Sequence, residues 1–321
     1  MNLSPDLGVT LAVMPILSVR HLTRYRYREP VYFGEHRIMF RPRESYDQRI
    51  LESRLVIAPE PVELRYVQDL FGNCVAIARF DGRAHDLSFE SFVRLDHTPA
   101  PLATDSEDEI DASVSYPFAY NPEDLPDLLP SIMRQHPDPS GRVEAWARRF
   151  TNEGRPTHVL GMLTDMTRAI RAEFTYGKRL HGGPQTPLET LSRGSGSCRD
   201  FAMLLIEAVR SLGLAARFVS GYIYSPSSGL GVARRGGGHT HAWARVYLPS
   251  CGWVEFDPTN GIVGNTDLIR VAVARDPRQA VPLHGTWAGP DGAYLGMDVE
   301  VDVDVERPQA VQHRPALVAA E

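Results

Sequence analysis

Three residues of this 321-residue chain have the types that nucleophilic acyl transfer needs: Cys198, His241 and Asp257. A thiol attacks well only as its thiolate, so it requires surroundings that favour negative charge and a base to take its proton. Cys198 follows Gly194-Ser195-Gly196-Ser197 and precedes the apolar run Phe201-Ala202-Met203-Leu204-Leu205-Ile206. That pattern reads as a tight turn opening a core helix, whose first N–H groups and dipole face the sulfur. The cysteine's own N–H could help hold an oxyanion. His241 starts a strand-like run after a glycine-rich loop, and Asp257 ends the next such run. An antiparallel pair joined near Pro249–Gly252 would set the two side by side. The carboxylate would then accept one imidazole proton and turn the other nitrogen to the thiol. Trp243, two residues on, shares its side of the strand and could cover the ring from water.

Each residue also has a blander reading. Free cysteine often packs as a small core residue, and Cys198 alone does not separate the two roles. His239 competes as the base, but the glycines before it read as loop, which favours His241. A zinc site could be assembled from Cys198, His239, His241, Cys251 and Asp257. Against it, no C-x-x-C pair occurs and the His-x-His pair has no third ligand nearby in sequence. No metal or organic cofactor is expected.

Composition sets the frame for this chemistry. The chain is 43% hydrophobic and 23% charged, as in ordinary globular proteins, and its formal net charge is -6. That mild acidity supplies no attraction to nucleic acid or an anionic membrane. Three scattered cysteines do not make a disulfide framework and point to a reducing compartment, the cytoplasm. No apolar run approaches the roughly 20 residues that span a bilayer. Leu7–Leu17 is apolar, but it lacks a basic start and is interrupted by Pro15, so residues 1–15 read as an extension rather than a signal peptide.

The elements that must position the three residues can be sketched from periodicity. Residues 16–98 read as a β domain of short strands separated by Glu29-Pro30, Pro59-Glu60-Pro61, Phe71-Gly72-Asn73 and Asp81-Gly82, in the manner of a small antiparallel sandwich. His21, His36 and His85 within it read as surface or hydrogen-bonded residues. Residues 99–141, rich in Pro, Asp and Glu, read as a connector with a helical turn near Leu125–Leu129. From 142 to 305 helices come first, at Val143–Phe150, Val159–Glu173 and Arg199–Leu212. Strands follow at Ala215–Tyr224, His241–Leu248 and Gly252–Phe256. Tyr176–Pro187 and Ser225–Gly238 read as loops. A last strand, Tyr294–Val305, alternates valines with acids and is grouped with the catalytic core. Residues 306–321 read as a tail.

Several blocks together resemble the bacterial transglutaminase-like superfamily. They are Gly196-Ser197-Cys198-Arg199-Asp200-Phe201-Ala202, Leu212-Gly213-Leu214 through Ser220-Gly221-Tyr222, His241-Ala242-Trp243, and Gly252-Trp253-Val254-Glu255-Phe256-Asp257-Pro258-Thr259-Asn260. Arg24-Tyr25-Arg26-Tyr27-Arg28-Glu29-Pro30-Val31 and Asp69-Leu70-Phe71-Gly72-Asn73 resemble that family's N-terminal β domain, so the likeness covers residues 17 to 305. Arg199 stands where many relatives carry Gln, and Arg275-Asp276-Pro277 departs from the usual form. The resemblance implies an α+β chain: a papain/transglutaminase-like catalytic core preceded by a small antiparallel β-sandwich domain. It gives Cys198, His241 and Asp257 the same three roles and offers Tyr176 as an oxyanion-side group. It implies a thiol acyl-transfer enzyme acting on a protein or peptide, either a hydrolase or a glutamine-to-amine transferase. Cys198 is therefore expected to react with iodoacetamide well below about pH 8, and more slowly in His241→Ala. Equal labelling of Cys198 and Cys74 would overturn the triad.

Overall fold

Alternation of apolar and polar residues from Ile16 onward builds the longest strand of the molecule. The computed structural model describes residues 16–99, 115–177, 183–224, 235, 238–249 and 251–306. In it β1 runs over Ile16–Ile38 and buries every second residue at its start: Leu17, Val19, His21 and Thr23. β2 (Gln48–Ala58), β3 (Glu63–Gln68), β4 (Cys74–Arg79) and β5 (Arg83–His97) complete an antiparallel sheet in the order β2-β5-β1-β4-β3, and the sheet curls. The turn expected at Glu29-Pro30 is absent. Pro30 lies inside β1, where pairing with β5 is interrupted between Arg26 and Val31. A proline at such an irregularity gives up no ladder hydrogen bond.

The core begins with β6 (Ser115–Tyr116), α1 (Leu125–Ile132), α2 (Arg142–Arg148), β7 (Thr157–His158) and α3 (Val159–Glu173). β8 (Thr175–Tyr176), α4 (Pro187–Arg193), β9 (Ser195–Gly196) and α5 (Cys198–Ser211) follow. α4 falls in a stretch that gave no helical period. Its signal was a capping box, Thr186 with Glu189, and a proline in its first turn. α5 is buried from Asp200 to Arg210. Phe201, Leu204, Leu205 and Ala208 pack with Phe218, Ala242, Ala244 and Val246 of the sheet beside it. A helix apolar on most faces must be central, and α5 is.

That sheet holds β10 (Ala216–Ile223), β11 (His241–Leu248), β12 (Gly252–Asp257), β13 (Ile262–Val263) and β14 (Leu268–Ala274), ordered β13-β12-β11-β10-β14. β14 was not foreseen as a strand. β15 (Leu283–Ala288) and β16 (Tyr294–Glu306) close the described chain. Here the grouping of the last strand with the catalytic core is corrected. β16 pairs antiparallel with β1 from Ile16↔Glu306 to Tyr27↔Tyr294, and β15 pairs with the far half of β1. Val299, Val301 and Val303 join the apolar cluster between the domains, while Asp298, Glu300, Asp302 and Asp304 remain exposed. The physical reason is that β1 needs a neighbour on both edges and β5 covers only one. The extension 1–15, residues 100–114 of the connector, most of the 225–238 loop and the tail beyond 306 lie outside the described residues.

The two domains share an apolar seam. Leu17, Val19, Val93 and Leu95 of the β domain cluster with Tyr222, Tyr224, Ile269 and Val271 of the core. Leu95 is fully buried there. Leu95→Ala is therefore expected to cost about 2–5 kcal/mol of unfolding free energy, measured by chemical denaturation.

Candidate active site

Cys198 is the first residue of α5, with Ser197 as N-cap. Asp200 fixes this turn: its Oδ2 accepts from the Ser197 backbone N–H at 2.7 Å and the Ser197 hydroxyl at 2.8 Å. Its Oδ1 accepts from the Gln185 N–H at 2.7 Å. Gly196 permits the tight approach, since a Cβ there would stand 2.8 Å from the Asp200 Cβ. The far end of α5 is tied down as well. The buried Glu207 carboxylate accepts from Arg210 Nη1 at 2.8 Å and from the Gln135 N–H at 3.1 Å. The sulfur thus sits on a helix terminus whose backbone has little freedom to shift, beside N–H groups that favour negative charge.

His241 and Asp257 come together as the strand pattern predicts. His241 Nε2 lies 2.8 Å from Asp257 Oδ2, with both side chains buried. The carboxylate is held by more than the imidazole. Asn260 Nδ2 donates to the same Oδ2 at 2.8 Å, and the Thr259 N–H donates to Oδ1 at 2.9 Å. Burial would raise the Asp257 pKa, but the charge and hydrogen bond of His241, then Asn260 and Thr259, hold it below the usual carboxylate range. Burial likewise opposes charge on the ring. Asp257, by charge and by hydrogen bond, and then Cys198 outweigh it, raising the His241 pKa from 6.5 to about 10. With Nε2 committed to Asp257, Nδ1 is the nitrogen left for Cys198. It is buried and has no other hydrogen-bond partner.

Trp243 stacks on His241, with ring centroids 6.0 Å apart and planes inclined by 28°. It is completely buried, so the expected cover over the imidazole is present. Tyr176 stands on β8, which pairs in parallel with β9 just before Cys198. Burial, then the charges of Cys198 and Asp257, push its hydroxyl up to about 12, against a small opposite pull from Arg235. It remains a protonated donor beside the thiol, and its ring also packs near Phe201, with centroids 6.3 Å apart. His239 lines the same cleft, but it is His241 that bonds Asp257. The zinc set does not assemble: Cys251 is exposed in the turn between β11 and β12, at the opposite end of β11 from His241.

These groups face a cleft of about 540 Å³ between the domains. His21, Thr23 and Tyr25 of β1 and Met297 and Val299 of β16 form one wall; Cys198, His241 and Phe218 stand on the core side. Of the two readings given for His21, surface or hydrogen-bonded, the second holds. The residue is buried with Nδ1 at 2.9 Å from the Tyr222 hydroxyl, and burial lowers its pKa to about 3, which keeps it neutral. Asp200, Asn260 and Glu255 were not singled out from the residues. The first two left traces: serine and aspartate at capping-box spacing, and an Asx turn in Asp257-Pro258-Thr259-Asn260. Glu255, the acceptor for the indole of Trp243, left none.

Two family models match the chain. One is a bacterial transglutaminase-like N-terminal region over residues 17–96, the other the transglutaminase-like superfamily over residues 144–258. An uncharacterized protein of Mycobacterium tuberculosis is 29% identical over 312 residues, spanning 94% of this chain and 97% of its own length. One of Mycobacterium leprae is 26% identical over 297 residues, 89% of this chain and 98% of its own. Among solved structures, a candidate cysteine protease from Cytophaga hutchinsonii matches with a TM-score of 0.64 at 18% identity. The match covers 92% of this chain and 93% of that one, so the likeness of fold extends over both domains.

The raised His241 pKa has a consequence for stability. A group whose folded pKa lies above its ordinary one stabilises fully below the ordinary value and ceases to as pH rises through the folded one. For His241 that window runs from 6.5 to about 10. Asp257→Asn removes the main source of the shift, so its unfolding free energy is expected to fall less steeply across this window. Denaturation curves at several pH values measure this; equal slopes would mean that His241 carries no charge against Asp257.

Proposed function

Starting from its membership of the transglutaminase-like superfamily, we propose that this chain is a thiol acyl-transfer enzyme, with Cys198 as nucleophile and His241 as base. The observation that carries the reading is the buried His241–Asp257 bond at 2.8 Å, which leaves Nδ1 to the cysteine at the head of α5. The sulfur attacks the carbonyl carbon of a peptide or carboxamide, giving a tetrahedral oxyanion. The Cys198 N–H at the helix start, with the Tyr176 hydroxyl as a second donor, would take that charge. His241, protonated and steadied by Asp257, gives its proton to the departing amine. A thioester on Cys198 is then opened by an acceptor that His241 deprotonates.

We favour water as that acceptor, and hence peptide or amide hydrolysis. The described lining of the cleft contains Arg199 and Arg278 but no aspartate or glutamate that would hold an amine acceptor's ammonium group. An accessible cleft admits water without any dedicated site. Transfer to an amine is the second outcome that the same thioester permits, and the cytoplasm is the compartment we assign to the protein.

Incubation with p-nitrophenyl acetate is expected to acylate Cys198, seen as an added mass on the peptide that contains it. Cys198→Ala abolishes the label, and His241→Ala slows it about 100- to 10,000-fold. A peptide library with and without a primary amine, read by mass spectrometry, separates the outcomes. Cleaved backbone or a carboxamide converted to carboxylate supports hydrolysis; ammonia release with amine incorporation would replace it by transamidation.

A further inference from the structure

Outside the three active-site residues, one group of buried charges runs unbroken from the β domain to the imidazole. Asp47, between β1 and β2, is 2% exposed, and its Oδ2 accepts from Arg270 Nη1 of β14 at 3.0 Å. The same nitrogen donates to Glu255 Oε1 of β12 at 3.2 Å. Glu255 Oε2 accepts the indole N–H of Trp243 at 2.8 Å. Trp243 is the ring that stacks on His241. Backbone contacts lock the same junction: Gln48 Nε2 donates to the Arg270 carbonyl at 2.9 Å, and the Arg270 N–H donates to Gln48 Oε1 at 3.0 Å.

An indole has one donor and no acceptor, so Glu255 alone fixes the direction of its N–H. Glu255 is itself constrained, because Arg245 Nε approaches the same Oε1 at 2.9 Å and leaves Oε2 to Trp243. The edge of the ring is bounded by Gly221 of β10. A Cβ at that position would stand 2.7 Å from the far edge of Trp243 and 2.0 Å from the Ile269 carbonyl oxygen. Burying Asp47 with Arg270 carries a desolvation cost that well-packed apolar residues would avoid, so the pair is weak evidence for stability alone. What apolar residues could not do is orient a carboxylate.

We propose that Asp47 and Arg270 are positioning residues for His241. Acting through Glu255, they set the plane of Trp243 and hence the angle at which the imidazole presents Nδ1 to Cys198. In this arrangement the β domain is part of the catalytic apparatus without touching the reacting atoms. The proposal rests on the acyl-transfer reading of Cys198 and goes beyond it.

The test compares Asp47→Asn, Glu255→Gln and Glu255→Leu. Two readouts are used: hydrolysis of p-nitrophenyl acetate, and the NMR signal of the His241 ring proton shared with Asp257, which needs no turnover. Asp47→Asn is expected to lower kcat about tenfold, to leave KM within about twofold, and to move the His241 signal. Glu255→Gln keeps an acceptor for the indole and should retain more of kcat than Glu255→Leu. Should Asp47→Asn fail to fold, Arg270→Lys keeps the charge, loses the planar fork and is measured in the same way. A folded variant with unchanged kcat and an unmoved His241 signal overturns the proposal. If the unaltered protein neither hydrolyses the ester nor acylates Cys198, the acyl-transfer reading fails, and the His241 signal alone decides the positioning role.

Discussion

A carboxylate and an imidazole removed from water are tolerable only when each satisfies the other, and the Asp257–His241 pair is the constraint on which the rest of this structure turns. Asp257 is completely buried, and its two oxygens take three donors: His241, Asn260 and the Thr259 N–H. Because that carboxylate is anchored, Nε2 is committed and Nδ1 is directed. An unanchored aspartate would let the ring turn, and the relation to Cys198 would be lost.

The cysteine is held by equally local means. Asp200 closes the first turn of α5, and Glu207 with Arg210 pins the other end of the same helix. α5 is buried nearly all round, its apolar residues packing against the sheet that carries His241 and Asp257. Nucleophile and base are thus attached to two rigid elements sharing one core. Cores pack densely and resist sliding, so geometry set on two such elements persists.

The β domain contributes through a different kind of contact. An apolar seam joins it to the core, and buried polar groups cross that seam at Asp47, Gln48 and Arg270. Apolar contact is non-directional and would allow small rotations between the domains. The crossing hydrogen bonds remove that freedom. The cleft wall formed by β1 and β16 is therefore fixed in register with Cys198 and His241.

Much of the site was legible in local sequence because its parts are local devices. Glycines and serines before an apolar helical run marked Cys198 as a helix start, and two strand-like runs joined by a short turn brought His241 to Asp257. Period-two alternation disclosed β16 and its solvated acidic face. Yet no period reveals which strand a segment pairs with, and β16 joined β1 across nearly the whole chain. Pro30 misled because a proline reads as a turn unless the strand pairing is interrupted at that same point, as it is between Arg26 and Val31. Asp47, Glu255 and Arg270 are ordinary charged residues in sequence; Asp47 and Arg270 stand 223 positions apart. Short-range residue types and periodicity determined the helix, the strands and the three candidate catalytic residues. Only tertiary structure decided which charges were buried together, because burial and partner choice are properties of the assembled core and not of neighbours along the chain.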